Sequence, residues 1–467
     1  MFAIHDDGFR LCDGLTRREW LRVGGLGAFG LSLPALLRAG PAAAAPAPER
    51  TSGKAKACIV LFLFGGPPQH ETWDPKPDAP AQIRGDLGTV ATTVPGLRVG
   101  ELMPHVARQA RRVAVLRAVS TNDNAHSSSG YWMLTGVPHQ PTNSENAKPG
   151  APNDAPCLGG LVRRLRGDRG GLPAAVTLPE GLWNTGHIPW PGQNAGFLGR
   201  AADPWMLACD PNTPNFQVPG LELPAEVPPL RFDGRRSLLQ QVNRHLDAVD
   251  RAGAFTRHDA QGRQALDLLR SAKARRAFNL DEEPPALRDR YGRNRFGQSV
   301  LLARRLVEAG VSLVQVNWPR SKADPDANPV WDTHQKNSER LKAVLMPPMD
   351  LAYAALLEDL ADRGMLDSTL VVWMGEFGRS PKINGAGGRD HWGHVFSAAL
   401  AGGGVRGGVV HGASDKLGGH PKEGRVAPQD VTATVFHCLG YRPDTEVHDA
   451  LGRPIPVSRG EVIRQVL

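Results

Sequence analysis

Eight consecutive apolar residues, Ala57-Cys-Ile-Val-Leu-Phe-Leu-Phe64, run straight into Gly65-Gly66-Pro67. A strand with one wet face alternates apolar and polar side chains, whereas an unbroken apolar run needs cover on both faces. Such a strand sits inside a sheet, with companion strands beside it and helices over it. The rest of the chain supplies both. Val113–Val119, after a helical stretch, and Ala174–Leu178 are similar runs, and Val311–Trp318, Thr369–Met374 and Phe396–Ala401 read as further strands. Between them, apolar residues recur at three- and four-residue spacing, the period of a helix face. Leu238, Leu239, Val242, Leu246 and Val249 do so within Arg236–Phe278. Phe296–Ala309 is a helix closed by Gly310, and Glu339–Arg363 is one interrupted by Pro347-Pro348 and stopped by Gly364. Val431–Leu439 is a last helix, ending at Gly440. The alternation predicts an α/β fold: a central, mixed, mostly parallel sheet with helices on both faces.

The first 45 residues belong to a different kind of segment. Thr16-Arg17-Arg18-Glu19-Trp20-Leu21 is a paired-arginine motif, Val23–Leu37 is weakly apolar, and Ala42–Ala45 offers small side chains for cleavage. This is the layout of a twin-arginine leader. Its 15-residue apolar stretch is shorter than the roughly 20 residues of a spanning helix. The expected organisation is a signal peptide over 1–45, a linker over 46–56, and one domain over 57–467 with an insertion around 180–300. Residues 180–232 of that insertion are rich in Pro, Gly, Trp and Asn, as suits a lid or substrate-facing excursion. The leader makes the twin-arginine translocation machinery a partner and puts the protein in the periplasm or outside the cell. That route carries folded proteins, which suits one that takes up a metal first.

The 55 basic and 47 acidic residues leave a net charge of +8. The excess is scattered over apparent helices, as at Arg163-Arg164 and Arg304-Arg305. No dense basic tract with interleaved aromatics exists, which argues against nucleic acid as a partner. A mild preference for anionic substrates remains. The five cysteines, Cys12, Cys58, Cys157, Cys209 and Cys438, form no CxxC pair. One or two disulfides are compatible with export, and a zinc-thiolate site is not suggested.

In open α/β sheets, ligands gather at the carboxyl ends of the strands. After the first strand come His70, Glu71 and Asp74; after the second, Asp123, His126 and Ser127–Ser129. Beyond the strand at 311–318 lie Asp332 and His334. Beyond the strand at 369–374 lie Glu376 and Arg379, then Arg389, Asp390, His391 and His394. Singly, each has an ordinary explanation. Asp-x-His pairs bond locally, serines cap helices, and glutamates form surface ion pairs. His437, on an apolar helix face, reads as core. Joint occurrence at successive strand ends is what points to a site. Imidazole with carboxylate is the ligand set of zinc, manganese or iron, while an all-oxygen set would suit calcium or magnesium. Arg379 and Arg389 are candidates to pair with an oxyanion.

The leader, Gly65-Gly66-Pro67 with Trp73-Asp74-Pro75-Lys76-Pro77, Trp331-Asp-Thr-His334, Gly375-Glu-Phe-Gly-Arg379 and Gly388-Arg-Asp-His-Trp392 together resemble a large bacterial family of exported proteins of unknown function. That family is distantly related to sulfatases and the alkaline phosphatase superfamily. The resemblance covers essentially the whole chain and implies an alkaline-phosphatase-like fold. It implies that Asp332, His334, Glu376, Asp390, His391 and His394 hold one or two divalent ions (zinc, manganese, iron or calcium), with Glu376 where sulfatases have the Asp of an Asp-His-Gly and Phe377 in place of its His. Sulfatases place their Cys or Ser nucleophile nine residues before a Thr-Gly; counting back from Thr135-Gly136 gives His126, with Ser127 beside it. Either Ser127 or a metal-bound water attacks, or His126 is a ligand or base, or the nucleophile is lost. The implied reaction is hydrolysis of a phosphate or sulfate ester, saccharide esters among the candidates. The alternative is a non-catalytic binding or assembly protein on the same fold.

Overall fold

The computed structural model describes residues 51–218, 272–320, 330–449 and 451–467. The leader, residues 46–50 of the linker, and the Leu238–Val249 stretch lie outside these residues.

Eight strands form the central sheet: β1 (Ala57–Phe62), β2 (Val113–Val119), β3 (Ala175–Leu178), β4 (Trp205–Met206), β5 (Leu313–Asn317), β6 (Thr369–Met374), β7 (Phe396–Ala401) and β8 (Val410–His411). Their order is β8-β2-β7-β6-β1-β5-β3-β4. β1 lies between β5 and β6, parallel to both, with Cys58 opposite Leu313 on one side and Leu370 on the other. Among the described residues β7 alone runs against its neighbours β6 and β2. Every residue of β1, β5, β6 and β7 is buried. Both faces are therefore covered, which is why β1 reads as a continuous apolar run. The expected mostly parallel α/β sheet is the fold observed. Its direction brings the carboxyl ends of β1, β2, β5 and β6, and the amino end of β7, to one edge.

Five helices carry most of the remaining order: α1 (His126–Thr135), α2 (Leu158–Arg166), α3 (Arg295–Ala309), α4 (Met346–Asp362) and α5 (Pro428–Cys438). Asn294 caps α3 by accepting the Gly297 N–H at 2.8 Å, and Gly310 ends it in the left-handed region. α5 starts earlier than its apolar period suggests, because Pro428 fits a first turn and Asp430 accepts the Ala427 N–H at 2.9 Å. The Pro347-Pro348 interruption is a widened turn, not a break. Asn337–Arg340 leads into a π-helical turn, Leu341–Leu345, and the prolines then occupy the first turn of α4. There, no N–H of theirs is needed.

In the insertion, the described residues include a two-stranded ribbon (Trp183–Asn184 with Ile188–Pro189), edge strand β4 and a helix over Ala272–Phe278. Cys58, Cys157, Cys209 and Cys438 are free thiols. Among the described residues no helix is long and apolar enough to cross a membrane.

Candidate metal centre

Backbone close approach builds the floor of the site. Gly65 follows β1 with φ +108°, and a Cβ on it would lie 2.5 Å from the Asp332 nitrogen. The backbone there can therefore run against Trp331-Asp332, where the Trp331 N–H donates to the Phe64 carbonyl at 2.9 Å. Glu376, just beyond β6, accepts the Gly65 N–H at 2.9 Å. After β2, the buried Asp123 fixes the turn into α1 by accepting from Ala125 N (3.0 Å), Ser128 Oγ (2.9 Å) and Asn143 N (3.0 Å). That turn delivers His126 as the first residue of α1. His391 comes from the short ribbon His391–Trp392, paired with Gly378–Arg379. Gly388 passes so close to the His334 carbonyl that no larger residue fits.

Three imidazoles converge on Asp332. His126 Nε2 lies 3.3 Å from Asp332 Oδ2, and His391 Nε2 and His334 Nε2 each lie 3.1 Å from Oδ1. The Nε2 atoms of His334 and His391 are 2.8 Å apart. Each ring is oriented from behind. Nδ1 of His126 meets Glu376 Oε1 at 2.7 Å, that of His391 meets the Asn124 carbonyl at 2.7 Å, and that of His334 meets Asp390 Oδ1 at 3.1 Å. An Nδ1 facing an acceptor carries the ring proton, leaving the Nε2 lone pair to face inward. Inward lone pairs against one another and against a carboxylate repel unless a cation lies among them. One nitrogen each from His126 and His391 and one oxygen of Asp332 lie within 4.8 Å of one another. His126 Nε2 is buried without a hydrogen-bond partner, as is Glu376 Oε2. This donor set fits a divalent transition metal.

Without such an ion, a proton stands in. Burial would lower the His126 pKa, but the carboxylates of Asp332 and Glu376 outweigh it and hold the ring up to about 10. Burial also opposes ionisation of Asp332, yet Arg379 and His126 hold its carboxyl well below the usual range. His391 is pushed down to about 3 by burial, aided by the charges of His126 and Arg379. His334 is raised, first by its hydrogen bond to Asp332. Phe377 packs its ring 4.9 Å from His126 and 4.6 Å from His391. Trp190 stacks on His126 at 6.0 Å. The centre is therefore walled by aromatics, and the side chain of His334, 45% exposed, marks its open side.

Several expected roles change. Ser127 is fully buried, and its hydroxyl is engaged elsewhere: it donates to the carbonyls of Ser144 (2.8 Å) and Glu145 and accepts the Ala147 N–H at 3.0 Å. It ties down the 144–147 loop and is not positioned as a nucleophile. Arg389 is likewise buried, donating to Glu71 Oε1 at 2.6 and 2.9 Å and to the carbonyls of Ile83, Ser380 and Pro381. It is an internal strut, not an oxyanion clamp. Arg379 borders the centre, but its guanidinium holds the carbonyls of Gly65, Gly66 and Arg389 and pairs with Asp332 at 2.5 Å. It neutralises Asp332. Glu376 Oε1 and Asp390 Oδ1 orient His126 and His334 from behind, through Nδ1. His394 is drawn away, to Asn122 Oδ1 at 3.0 Å and the ring of His420 at 5.2 Å. Glu145 carried no sequence signal; its Oε2 accepts the His126 N–H at 2.8 Å and its Oε1 accepts from Asn184 at 2.9 Å.

A family model described as "Protein of unknown function (DUF1501)" matches residues 55–467. No curated protein matches the chain. Solved structures similar to it include the PsFucS1 sulfatase from Pseudoalteromonas sp., at 13% identity over 82% of this chain and 68% of that one, TM-score 0.37. A phosphonate monoester hydrolase from Silicibacter pomeroyi is similar at 12% identity over 87% and 76%, TM-score 0.38. A protein in the alkaline phosphatase superfamily from Vibrio parahaemolyticus is similar at 11% over 84% and 68%, TM-score 0.36.

Proposed function

The chain belongs to this DUF1501 family, whose description assigns no activity, so we propose a function from the site itself: an exported, metal-dependent hydrolase of phosphate or sulfate esters. One observation carries the reading, the convergence of His126, His334 and His391 Nε2 on Asp332 with each Nδ1 tied off behind. Three imidazoles and one carboxylate favour zinc, manganese or iron over calcium. A divalent ion held there would polarise an ester oxygen and acidify a water. Arg379 lowers the cost of burying the Asp332 charge, and Glu376 and Asp390 fix two ring orientations. Phe377 and Trp190 keep bulk water from the inner side. With the Ser127 hydroxyl engaged elsewhere, water is the nucleophile. Its oxygen bonds to phosphorus or sulfur, the ester bond breaks, and the alcohol leaves with a proton.

The test is metal content by plasma mass spectrometry alongside a screen of phosphate and sulfate esters. Wild type is expected to hold near-stoichiometric metal and cleave one ester class; Asp332→Ala/His391→Ala is expected to lose both. Full activity in that double variant would sink the site. Metal retained with no ester cleaved would favour the binding-protein alternative, which the engaged Ser127 hydroxyl also supports.

A further inference from the structure

Two histidines of the candidate centre are aimed by carboxylates, but the Nδ1 of His391 is held by a backbone carbonyl, that of Asn124. A carbonyl points where its planar peptide points, so the other atoms of that peptide have to be held as well. The Asn124 carbonyl shares its plane with the Ala125 N–H, which faces the opposite way and donates to Asp123 Oδ1 at 3.0 Å. The peptide before it ends in the Asn124 N–H, which donates to Asn143 Oδ1 at 2.8 Å. The Asn143 N–H returns to Asp123 Oδ2 at 3.0 Å. The Asn124 side chain accepts the Gly393 N–H at 2.6 Å, and the Gly393 carbonyl accepts from the Thr121 and Asn122 N–H groups at 2.9 Å each. The turn from β2 into α1 is thus laced to the ribbon that carries His391. Asn143 is the outlying tie. It is exposed, and its φ of +55° is a conformation that Gly adopts freely and Asn or Asp tolerate. Two residues on, Glu145 accepts the His126 N–H at 2.8 Å, so the same loop reaches two of the converging histidines.

We propose that Asn143 is a positioning residue for His391: by holding the Asn124 N–H and Asp123, it fixes the peptide whose carbonyl takes the His391 Nδ1 proton. This deepens the metal-dependent reading and rests on it. The His391 Nε2 lone pair stays turned to the ion only while that carbonyl keeps its direction. Removing the Asn143 amide leaves the Asn124 N–H without its acceptor and frees the peptide to rock. Ordering the ring again is then drawn from the binding of the metal. Losing an outer partner of a ligating histidine costs about 10–100-fold in metal affinity. Asn143 acts one bond further out, so a loss of about tenfold, the low end of that range, is expected.

The test uses zinc as the probe, with its Kd read on the purified protein by competition against a chromophoric chelator. Asn143→Gly keeps the left-handed backbone and removes Oδ1, and is expected to weaken zinc binding by the stated factor. Asn143→Asp keeps the acceptor and tolerates the same φ, so it should stay within a few-fold of wild type. His391→Ala removes the ring being positioned, and in that background Asn143→Gly should cost nothing further. A loop with a merely structural role would weaken zinc equally in both backgrounds. Asn124→Ala, which cuts the tie to Gly393, should show the same dependence on His391 and serves if the glycine variant folds poorly. Unchanged zinc affinity in Asn143→Gly, an equal loss in Asn143→Asp, or a loss that persists in full with His391→Ala would overturn the positioning role and leave the metal centre standing. No zinc bound by wild type would overturn both.

Discussion

At the scale of single residues, the decisive facts are which atom of each ring faces inward and where each hydroxyl is engaged. Asp332, His334 and His391 were visible in the sequence because imidazole beside carboxylate at a strand end is unusual company. Their roles were not visible, because the choice between Nδ1 and Nε2 depends on acceptors hundreds of positions away, such as Glu376 for His126. Ser127 makes the contrast testable. Its hydroxyl satisfies two carbonyls and the Ala147 N–H, so Ser127→Ala strands buried backbone groups at a cost of about 1–3 kcal/mol. The expected result is a lowered Tm with metal content kept and ester hydrolysis within a few-fold of wild type. Abolished hydrolysis at an unchanged Tm would instead make Ser127 the nucleophile.

At the scale of elements, strands were read well and the helix surfaces less so. Apolar-rich runs bounded by turn residues identify strands from local sequence alone, so β1, β2, β3, β5, β6 and β7 were all legible. The short edge strands β4 and β8 were not, since two residues carry no pattern. In sequence, Arg304-Arg305 on α3 counted only as scattered excess charge on a helix. In the fold, Arg304 is fully buried, pairing with Glu283 at 2.7 Å and with Asp359 of α4 at 2.8 Å, while Arg305 pairs with Glu283 at 2.5 Å. A residue's burial depends on which helix packs across it, which no single-helix period reveals. The network has a pH signature. Burial would raise the Glu283 carboxyl, but Arg305 and Arg304 outweigh it and hold it below its ordinary value of 4.5. A depressed folded-state pKa contributes stability that is full above the unfolded value and lost as pH falls through the folded one. Glu283→Gln should therefore destabilise at neutral pH by about 3 kcal/mol, the low end for removing one partner of a buried ion pair, since Asp359 still serves Arg304. Denaturant titrations at descending pH should show the gap to wild type closing below the ordinary carboxylate range. A gap that stays constant with pH would mean that Glu283 contributes by packing and not by charge.

At the scale of the whole molecule, the candidate centre draws on residues from position 65 to position 391, carried by β1, β2, β5, β6 and the ribbon before β7. No fragment contains it, and no partly threaded chain can bind metal through it. The centre therefore exists only once the sheet has closed, and the compartment in which the sheet closes chooses the ion. A paired-arginine leader, Thr16-Arg17-Arg18-Glu19, would carry the chain out after folding, so that the metal is selected in the cytoplasm and kept. Two consequences are separable. Arg17→Lys/Arg18→Lys in the full chain should be retained in the cytoplasm, and the retained protein should already be folded and metal-loaded, with a Tm that falls when a chelator is added. The size of that fall reports affinity, because an ion at a hundred times its Kd stabilises the folded state by about 2.7 kcal/mol. Undiminished export of the twin-lysine chain would remove the leader from the account. Retained protein that is folded yet metal-free, with a Tm indifferent to chelator, would remove cytoplasmic metal selection while leaving the route itself intact.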